Sequence, residues 1–239
     1  MELKPSNSAF DLFQALTALT VQRPVFHSEA DFQHALAWVL HERHPGAKVR
    51  LEYRPAKLPE KAYIDIWVED HGAIYAIELK YKTRGLQATV GGEPFNLLDQ
   101  SAQDQARYDF CRDVGRIETL ARTYPGLTGL AVFLTNDQSY WRTSGRDGNV
   151  DSAFRLHEDA VLKGTLEWAS HASDGTKSGR VKAICLTRKY PVKWLPYSKC
   201  VDGRNADFRM AVVIAEAGIA GTAETIIPQL GAGRAPARS

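Results

Sequence analysis

The chain has 239 residues and a formal net charge of +2, with 44% apolar and 24% charged residues. These values resemble those of soluble globular domains and exclude collagen-like, intrinsically disordered and disulfide-scaffold proteins. The apolar runs are too short to span a bilayer, and the N-terminal residues lack the layout of a secretory signal. We therefore expect a folded, cytoplasmic protein with no membrane partner. The three cysteines lack ligand spacing, which argues against a disulfide framework or a structural zinc site.

The first half of the chain alternates helical and extended patterns. Apolar residues recur at helical spacing over residues 8–22, and a second helix is predicted from an N-cap at Ser28 to a stop at residues 44–46. Three extended segments follow, at residues 48–54, 63–69 and 73–83. Their short connections predict a meander of antiparallel strands.

Helical spacing returns over residues 96–122 and leads into an apolar run at 127–134. Such a run is typical of a strand buried on both faces, and a helix before it indicates a crossover connection within an α/β sheet. Further strands are predicted at residues 162–169, 181–186 and 208–216.

Charge is distributed unevenly between the two halves. Residues 1–137 carry a net charge of −3, whereas residues 138–209 carry +5 and several aromatic side chains. A basic, aromatic surface suits phosphate backbones and base stacking, although a solvated surface over an aromatic core explains the same composition. The Gly/Ala/Pro-rich tail, residues 231–239, is predicted to be disordered.

The strongest chemical signal lies in the predicted hairpin of residues 63–83. If His71 and Gly72 form a two-residue turn, Asp65 lies opposite Glu78, with Cβ atoms about 4.5 to 5.5 Å apart. Two facing carboxylates repel each other unless a cation lies between them. Mg²⁺ is a suitable cation, because it is held by one or two carboxylates together with waters or phosphates. The Leu79 carbonyl could add another oxygen ligand.

Lys80 follows Glu78 by two residues and is therefore on the same face of the strand. A cation there could stabilise charge that develops on a phosphate during its hydrolysis. The alternative is an ordinary solvent-facing Glu-x-Lys pair, which contributes less than about 1 kcal/mol.

Two helical residues extend this candidate site. Glu29 shares the core-facing stripe of the second helix, where it either points at the sheet or complements the helix dipole. Gln103 continues the apolar stripe of the third helix, where its amide binds a phosphate or makes an ordinary hydrogen bond. Asp109, Asp113, Arg116 and Glu118 on the same helix are interpreted as helical ion pairs.

The order of Glu29 on a helix, Asp65 on a strand, Glu78-Leu79-Lys80 on the next strand and a glutamine-bearing helix resembles the PD-(D/E)XK nuclease superfamily, which includes restriction endonucleases. The resemblance covers residues 26–137. It departs from the family pattern in two places: Ile64 replaces the proline before Asp65, and Gln103 does not stand four residues before a tyrosine.

The resemblance implies an α/β fold with a restriction endonuclease-like core, in which a central mixed β-sheet is flanked by helices. One domain is expected over residues 1–230, with its core at 26–137 and a basic, β-rich extension at 138–230. The implied activity is Mg²⁺- or Mn²⁺-dependent hydrolysis of phosphodiester bonds, with DNA endonuclease activity as the leading expectation.

The resemblance also implies a role for each candidate residue. Asp65, Glu78 and the Leu79 carbonyl would bind the metal, and Lys80 would be the catalytic lysine. Glu29 would match the acidic residue of the first core helix and complete the metal site. Gln103 would match the glutamine of the following helix.

Nucleic acid, DNA in particular, is the expected partner of the basic half. The predicted backbone contacts are Arg142, Arg146, Arg180, Lys182, Arg188 and Lys189. Since the nucleotide-binding glycine motifs are absent, any ATP-driven motor would be a separate protein. A homodimer is expected if both strands of a duplex are cut. The alternatives are a non-catalytic nucleic-acid-binding or assembly module with the same fold, and a hydrolase of smaller phosphate esters.

Overall fold

A computed structural model describes residues 12–58, 61–143, 145 and 148–216. Its centre is a six-stranded mixed sheet. In their order across this sheet, the strands are β1 (Lys48–Tyr53), β2 (Ile64–Asp70), β3 (Ala73–Lys82), β6 (Leu127–Thr135), β10 (Asp207–Glu216) and β9 (Trp194–Lys199). β3 and β6 run parallel, and the other neighbouring strands are antiparallel. The expected mixed sheet is therefore confirmed.

Helices cover both faces of the sheet. The α-helices of the described residues are α1 (Leu12–Gln22), α2 (Glu29–Arg43), α3 (Gln103–Thr123) and the short α4 (Asp174–Lys177), and a single 3-10 turn lies at Ser152–Phe154. α1 and α2 pack on one face, and α3 packs on the other. α2 begins after the predicted cap, because the Ser28 side chain accepts a hydrogen bond from the Asp31 N–H. No helix in this part of the chain is long and apolar enough to cross a membrane.

The predicted meander and crossover are both present. His71 and Gly72 connect β2 to β3 with positive φ angles of 47° and 87°, as a two-residue hairpin turn requires. β3 then reaches its parallel neighbour β6 through α3, which crosses the face of the sheet. The hairpin and the crossover helix together bring β2, β3 and α3 to one place.

The prediction of a helix from residue 96 is wrong. A two-stranded hairpin of β4 (Leu86–Val90) and β5 (Glu93–Leu97) occupies this part, and α3 begins only at Gln103. Gly91 and Gly92 form its turn with φ angles of 59° and 86°. A Gly-Gly pair is a hairpin signal, and here it outweighs the helical spacing that begins further along the chain.

The C-terminal half partly extends the main sheet. β9 and β10 continue it beyond β6, whereas β7 (Val161–Leu166) and β8 (Ile184–Pro191) form a separate pair that packs beside α3. The strand prediction at residues 181–186 is therefore displaced, and β9 was not predicted. The predicted start of the first helix at residues 8–11, the C-terminal end of the predicted domain at 217–230 and the predicted tail at 231–239 lie outside the described residues.

Close contact between α3 and β6 depends on Gly129. A Cβ atom at this position would lie 2.6 Å from Ile117 Cβ and 2.9 Å from the Ile117 carbonyl oxygen. Because the second atom belongs to the helix backbone, a methyl group forces α3 away from the sheet. We expect Gly129→Ala to lower the free energy of unfolding by about 1–3 kcal/mol in urea denaturation. Gly46→Ala is the control, since nothing lies within 4 Å of its added Cβ; equal losses in both variants would contradict this account.

Candidate active site

The β2–β3 register agrees with the sequence prediction. The paired residues run from Asp70 opposite Ala73 to Ile66 opposite Ile77. Continued by one residue, this register sets Asp65 against Glu78. The paired ladder nevertheless ends at Ile66 and Ile77, one residue before Asp65 and Glu78. Asp65 and Glu78 therefore lie in different surroundings.

β3 continues beyond the paired part of β2, and two carboxylates take the place of the missing strand. The Leu79 N–H donates to Asp65 Oδ2 at 2.6 Å, and the Tyr81 N–H donates to Glu29 Oε2 at 2.7 Å. Both donors point out of the edge of β3 toward the side of β2. Since the N–H and C=O groups of one strand residue point the same way, the Leu79 carbonyl faces this open edge as well.

Glu78 faces α3 and is held there by an arginine. Arg116 Nε donates to Glu78 Oε1 at 2.7 Å, and Arg116 Nη2 donates to Asp113 Oδ1 at 2.5 Å. Glu78 and Asp113 are both buried. The interpretation of Asp113 and Arg116 as a helical ion pair is thus confirmed, but the pair also reaches the hairpin.

Lys80 lies between carboxylates from two helices. Its Nζ is 3.3 Å from Glu29 Oε1 and 3.9 Å from Asp113 Oδ2. Burial alone lowers the pKa of Lys80, but the charges of Asp113, Glu29 and Asp65 outweigh it and raise that pKa above its ordinary value. Lys80 therefore carries its charge throughout the neutral range and is unsuited to act as a general base.

Negative charge exceeds positive charge in this cluster. Four carboxylates (Glu29, Asp65, Glu78 and Asp113) surround two cations (Lys80 and Arg116). Burial, reinforced by the charge of Asp113, raises the pKa of Asp65 to about 6, despite the hydrogen bond from Leu79. Burial and the charge of Asp113 also raise the pKa of Glu78 well above 4.5, against the opposing effect of Arg116.

The donor set has the chemistry that a hard divalent cation requires. Asp65, Glu78 and the Leu79 carbonyl offer oxygen ligands, and the excess negative charge favours a cation. Among the described residues, no group of three or more His, Cys, Asp or Glu side chains is arranged to hold a metal ion. Mg²⁺ commonly takes only one or two protein carboxylates, which is the number that Asp65 and Glu78 would supply.

Asp65→Asn tests the charge of this cluster through the pH dependence of stability. A carboxyl whose pKa is higher in the folded state than in the unfolded state favours folding most below its unfolded pKa. Its contribution to the free energy of unfolding is lost as the pH rises through the folded pKa. For Asp65 this window lies between 3.8 and about 6. We measure the free energy of unfolding of the variant minus that of wild type, in EDTA. We expect this difference to rise by up to about 3 kcal/mol as the pH goes from 3.5 to 8. A gain that is independent of pH in urea denaturation would contradict the raised pKa.

The structure does not bring Gln103 to this cluster. Gln103 is the first residue of α3, ten residues before Asp113, which corresponds to about 15 Å along the helix. Its Nε2 donates to Asp137 Oδ2 at 3.1 Å and to the Gln100 carbonyl at 3.4 Å. The late start of α3 after the β4–β5 hairpin places it there.

Asp109 and Glu118 depart from their interpretation as simple helical ion pairs. Asp109 pairs with Arg112 on its own helix but also binds Arg180 through both carboxylate oxygens, at 3.0 and 2.7 Å. Glu118 accepts hydrogen bonds from the N–H groups of Thr187 and Arg188. Both residues attach the C-terminal half to α3.

The predicted nucleic-acid contacts differ in their availability. Arg180 is held by Asp109, and Arg188 Nη1 donates to the Glu216 carbonyl at 2.5 Å. The side chains of Arg142, Lys182 and Lys189 are exposed. Arg146 lies outside the described residues. The exposed three remain the better candidates for contacts with a phosphate backbone.

The aromatic residues of the basic half belong largely to the core, as the alternative interpretation of the composition holds. The buried ones are Trp141, Phe154, Tyr190, Trp194, Tyr197 and Phe208. Trp168 is partly buried and stacks on Tyr108, with ring centroids 5.6 Å apart. These rings are therefore not available for stacking with nucleic-acid bases.

Three site residues were missed from the sequence: Gln33, Asp113 and Arg116. Gln33 follows Glu29 by four residues, so it lies on the same face of α2. Asp113 lies three residues after Phe110 and four before Ile117, at the margin of the apolar stripe of α3. For Gln33 and Asp113, the helical spacing could therefore have indicated a polar side chain that faces the sheet.

Comparison of the chain with protein-family models, with curated proteins and with solved structures gives no match.

Proposed function

We propose that the protein is a metal-dependent nuclease that hydrolyses phosphodiester bonds, with DNA as the expected substrate and Mg²⁺ or Mn²⁺ as the cofactor. The observation that carries this proposal is the β2–β3 hairpin, whose register, continued one residue beyond its last pair of Ile66 with Ile77, sets Asp65 against Glu78. Lys80 stands two residues further along β3. Glu29 from the preceding helix reaches the same strand. The order of these elements supports a restriction endonuclease-like core.

Each residue would have one role in this reaction. Asp65, Glu78 and the Leu79 carbonyl would hold the ion. When bound, such an ion supplies a Lewis acid for the phosphoryl group and makes water more acidic. Lys80, kept protonated by its carboxylate neighbours, would place positive charge against the phosphate. Glu29 fixes the Lys80 ammonium and the Tyr81 N–H through its two oxygens.

A cleavage assay tests this function. Purified protein is incubated with supercoiled plasmid, single-stranded DNA and RNA in Mg²⁺, Mn²⁺ or EDTA, and the products are separated on gels. We expect cleavage that requires the metal and is abolished in Asp65→Asn. Mn²⁺ binding by calorimetry provides a second readout. Absence of both cleavage and Mn²⁺ binding in the wild-type protein would contradict the proposal.

The ion pairs of the cluster favour a second candidate, a non-catalytic module that binds nucleic acid. Glu78 is paired with Arg116, and Lys80 with Glu29 and Asp113, so these residues also have partners within the fold. Electrophoretic mobility shifts with the same substrates separate the candidates. A binding module binds DNA without cleaving it under any metal condition.

A further inference from the structure

Asp65 is displaced from the regular strand ladder on both sides. The β1–β2 pairs join Leu51 to Ile66 and Tyr53 to Ile64, and they pass over Glu52 and Asp65. Glu52 has a φ of 48°, which is unfavourable for a non-glycine residue within a strand. The β2–β3 pairing stops at Ile66. Asp65 is thus paired with a residue of neither neighbouring strand.

A side chain from α2 supplies the missing contact. The Nε2 group of Gln33 donates to the Asp65 carbonyl and to Glu52 Oε1, each at 2.8 Å. Its two amide hydrogens are therefore both used, one for each residue of the interrupted pair. Gln33 is buried, so water does not readily replace it.

We infer that Gln33 is a positioning residue for Asp65, a role that rests on the proposed function of the cluster. Gln33 fixes the Asp65 peptide from α2, while the Leu79 N–H fixes the carboxylate from β3. These two hydrogen bonds keep Asp65 out of a regular pair with Glu78 and hold its carboxylate at the open edge of β3. Residues that orient a metal ligand in this way commonly change metal affinity 10- to 100-fold when they are replaced.

The first test measures the Leu79 amide, which reports the position of the Asp65 carboxylate without any metal. Hydrogen exchange of the Leu79 and Ile77 amides is followed by NMR in EDTA for wild type, Gln33→Leu and Gln33→Met. Ile77 lies in the paired ladder and serves as an internal reference, so global destabilisation cancels in the ratio of the two rates. We expect this ratio to rise about 10-fold or more in both variants. An unchanged ratio would overturn the positioning role.

The matched control is Gln105→Leu. Gln105 also donates through Nε2 to two oxygens, the carbonyls of Gly175 and Thr176, but it stands eight residues before Asp113, about 12 Å away along α3. We expect this variant to retain the wild-type exchange ratio.

The second test measures Mn²⁺ affinity by calorimetry in the same proteins. We expect Gln33→Leu to weaken binding about 10- to 100-fold and Gln105→Leu to leave it unchanged. Wild-type protein that neither binds Mn²⁺ nor cleaves nucleic acid contradicts the proposed function itself. Mn²⁺ binding that is equally tight in wild type and Gln33→Leu overturns the positioning role alone.

Discussion

Lys80→Met is expected to lower the rate of metal-dependent cleavage by about 100- to 1,000-fold, the usual cost of removing one positioned charge that stabilises a transition state. It should not weaken Mn²⁺ binding. Lys80 lies beside Glu29 and Asp113, so its removal makes the cluster more negative and favours a cation. Single-turnover cleavage and calorimetry in the same buffer measure the two effects. Asp65→Asn should instead lose both cleavage and Mn²⁺ binding.

Lys82→Met is the matched control for this experiment. Lys82 lies on the same strand two residues further on and has no ion pair within the described part of the chain. The Lys82→Met variant should cleave at the wild-type rate. If Lys80→Met cleaves as fast as Lys82→Met, the assignment of Lys80 to the reaction is wrong. Retained Mn²⁺ binding and retained thermal unfolding at pH 6 exclude misfolding as the cause of a loss.

The hairpin of the candidate site is the part that the sequence predicts best, because its determinants are local. The two-residue turn at His71 and Gly72 fixes the pairing register, and a shift by one residue would turn every apolar side chain to the wrong face. The register that sets Asp65 against Glu78 therefore follows from the turn, although the pairing itself ends at Ile66 and Ile77. The cap at Ser28 is equally local, and it fixes where Glu29 enters the helix.

The partners of these residues depend on contacts between distant elements. Arg116 reaches Glu78 only because α3 packs closely on the sheet, and the contact between Gly129 and Ile117 sets this distance. The open edge of β3 depends on where the pairing of β2 stops, which is coupled to the backbone of Glu52 on a third strand. The periodicity of a single helix or strand predicts neither how closely α3 packs on the sheet nor where the pairing of β2 stops.

Arg116→Met is expected to cause the largest loss of stability, about 3–5 kcal/mol near pH 8, because it leaves Glu78 as an unpaired buried charge. The loss should shrink as the pH falls. Arg116 now lowers the pKa of Glu78 against the effects of burial and of Asp113, so its removal raises this pKa further. A raised pKa favours the folded state below pH 4.5, and that contribution disappears as the pH rises through the folded pKa.

Urea denaturation at pH 5 and pH 8 measures this dependence, with Arg112→Met as the control. Arg112 lies on the same helix and pairs with Asp109 at 3.2 Å, but its side chain is 39% exposed. A surface pair of this kind contributes about 0–1 kcal/mol. Arg112 lowers the pKa of the buried Asp113 less than Arg116 does, so the change between the two pH values should be smaller in this control. A loss in Arg116→Met that is as small as in Arg112→Met would show that Glu78 does not need its partner. A large loss that is equal at both pH values would instead assign the effect to packing around Arg116, because only an unpaired carboxylate becomes less costly when it is protonated.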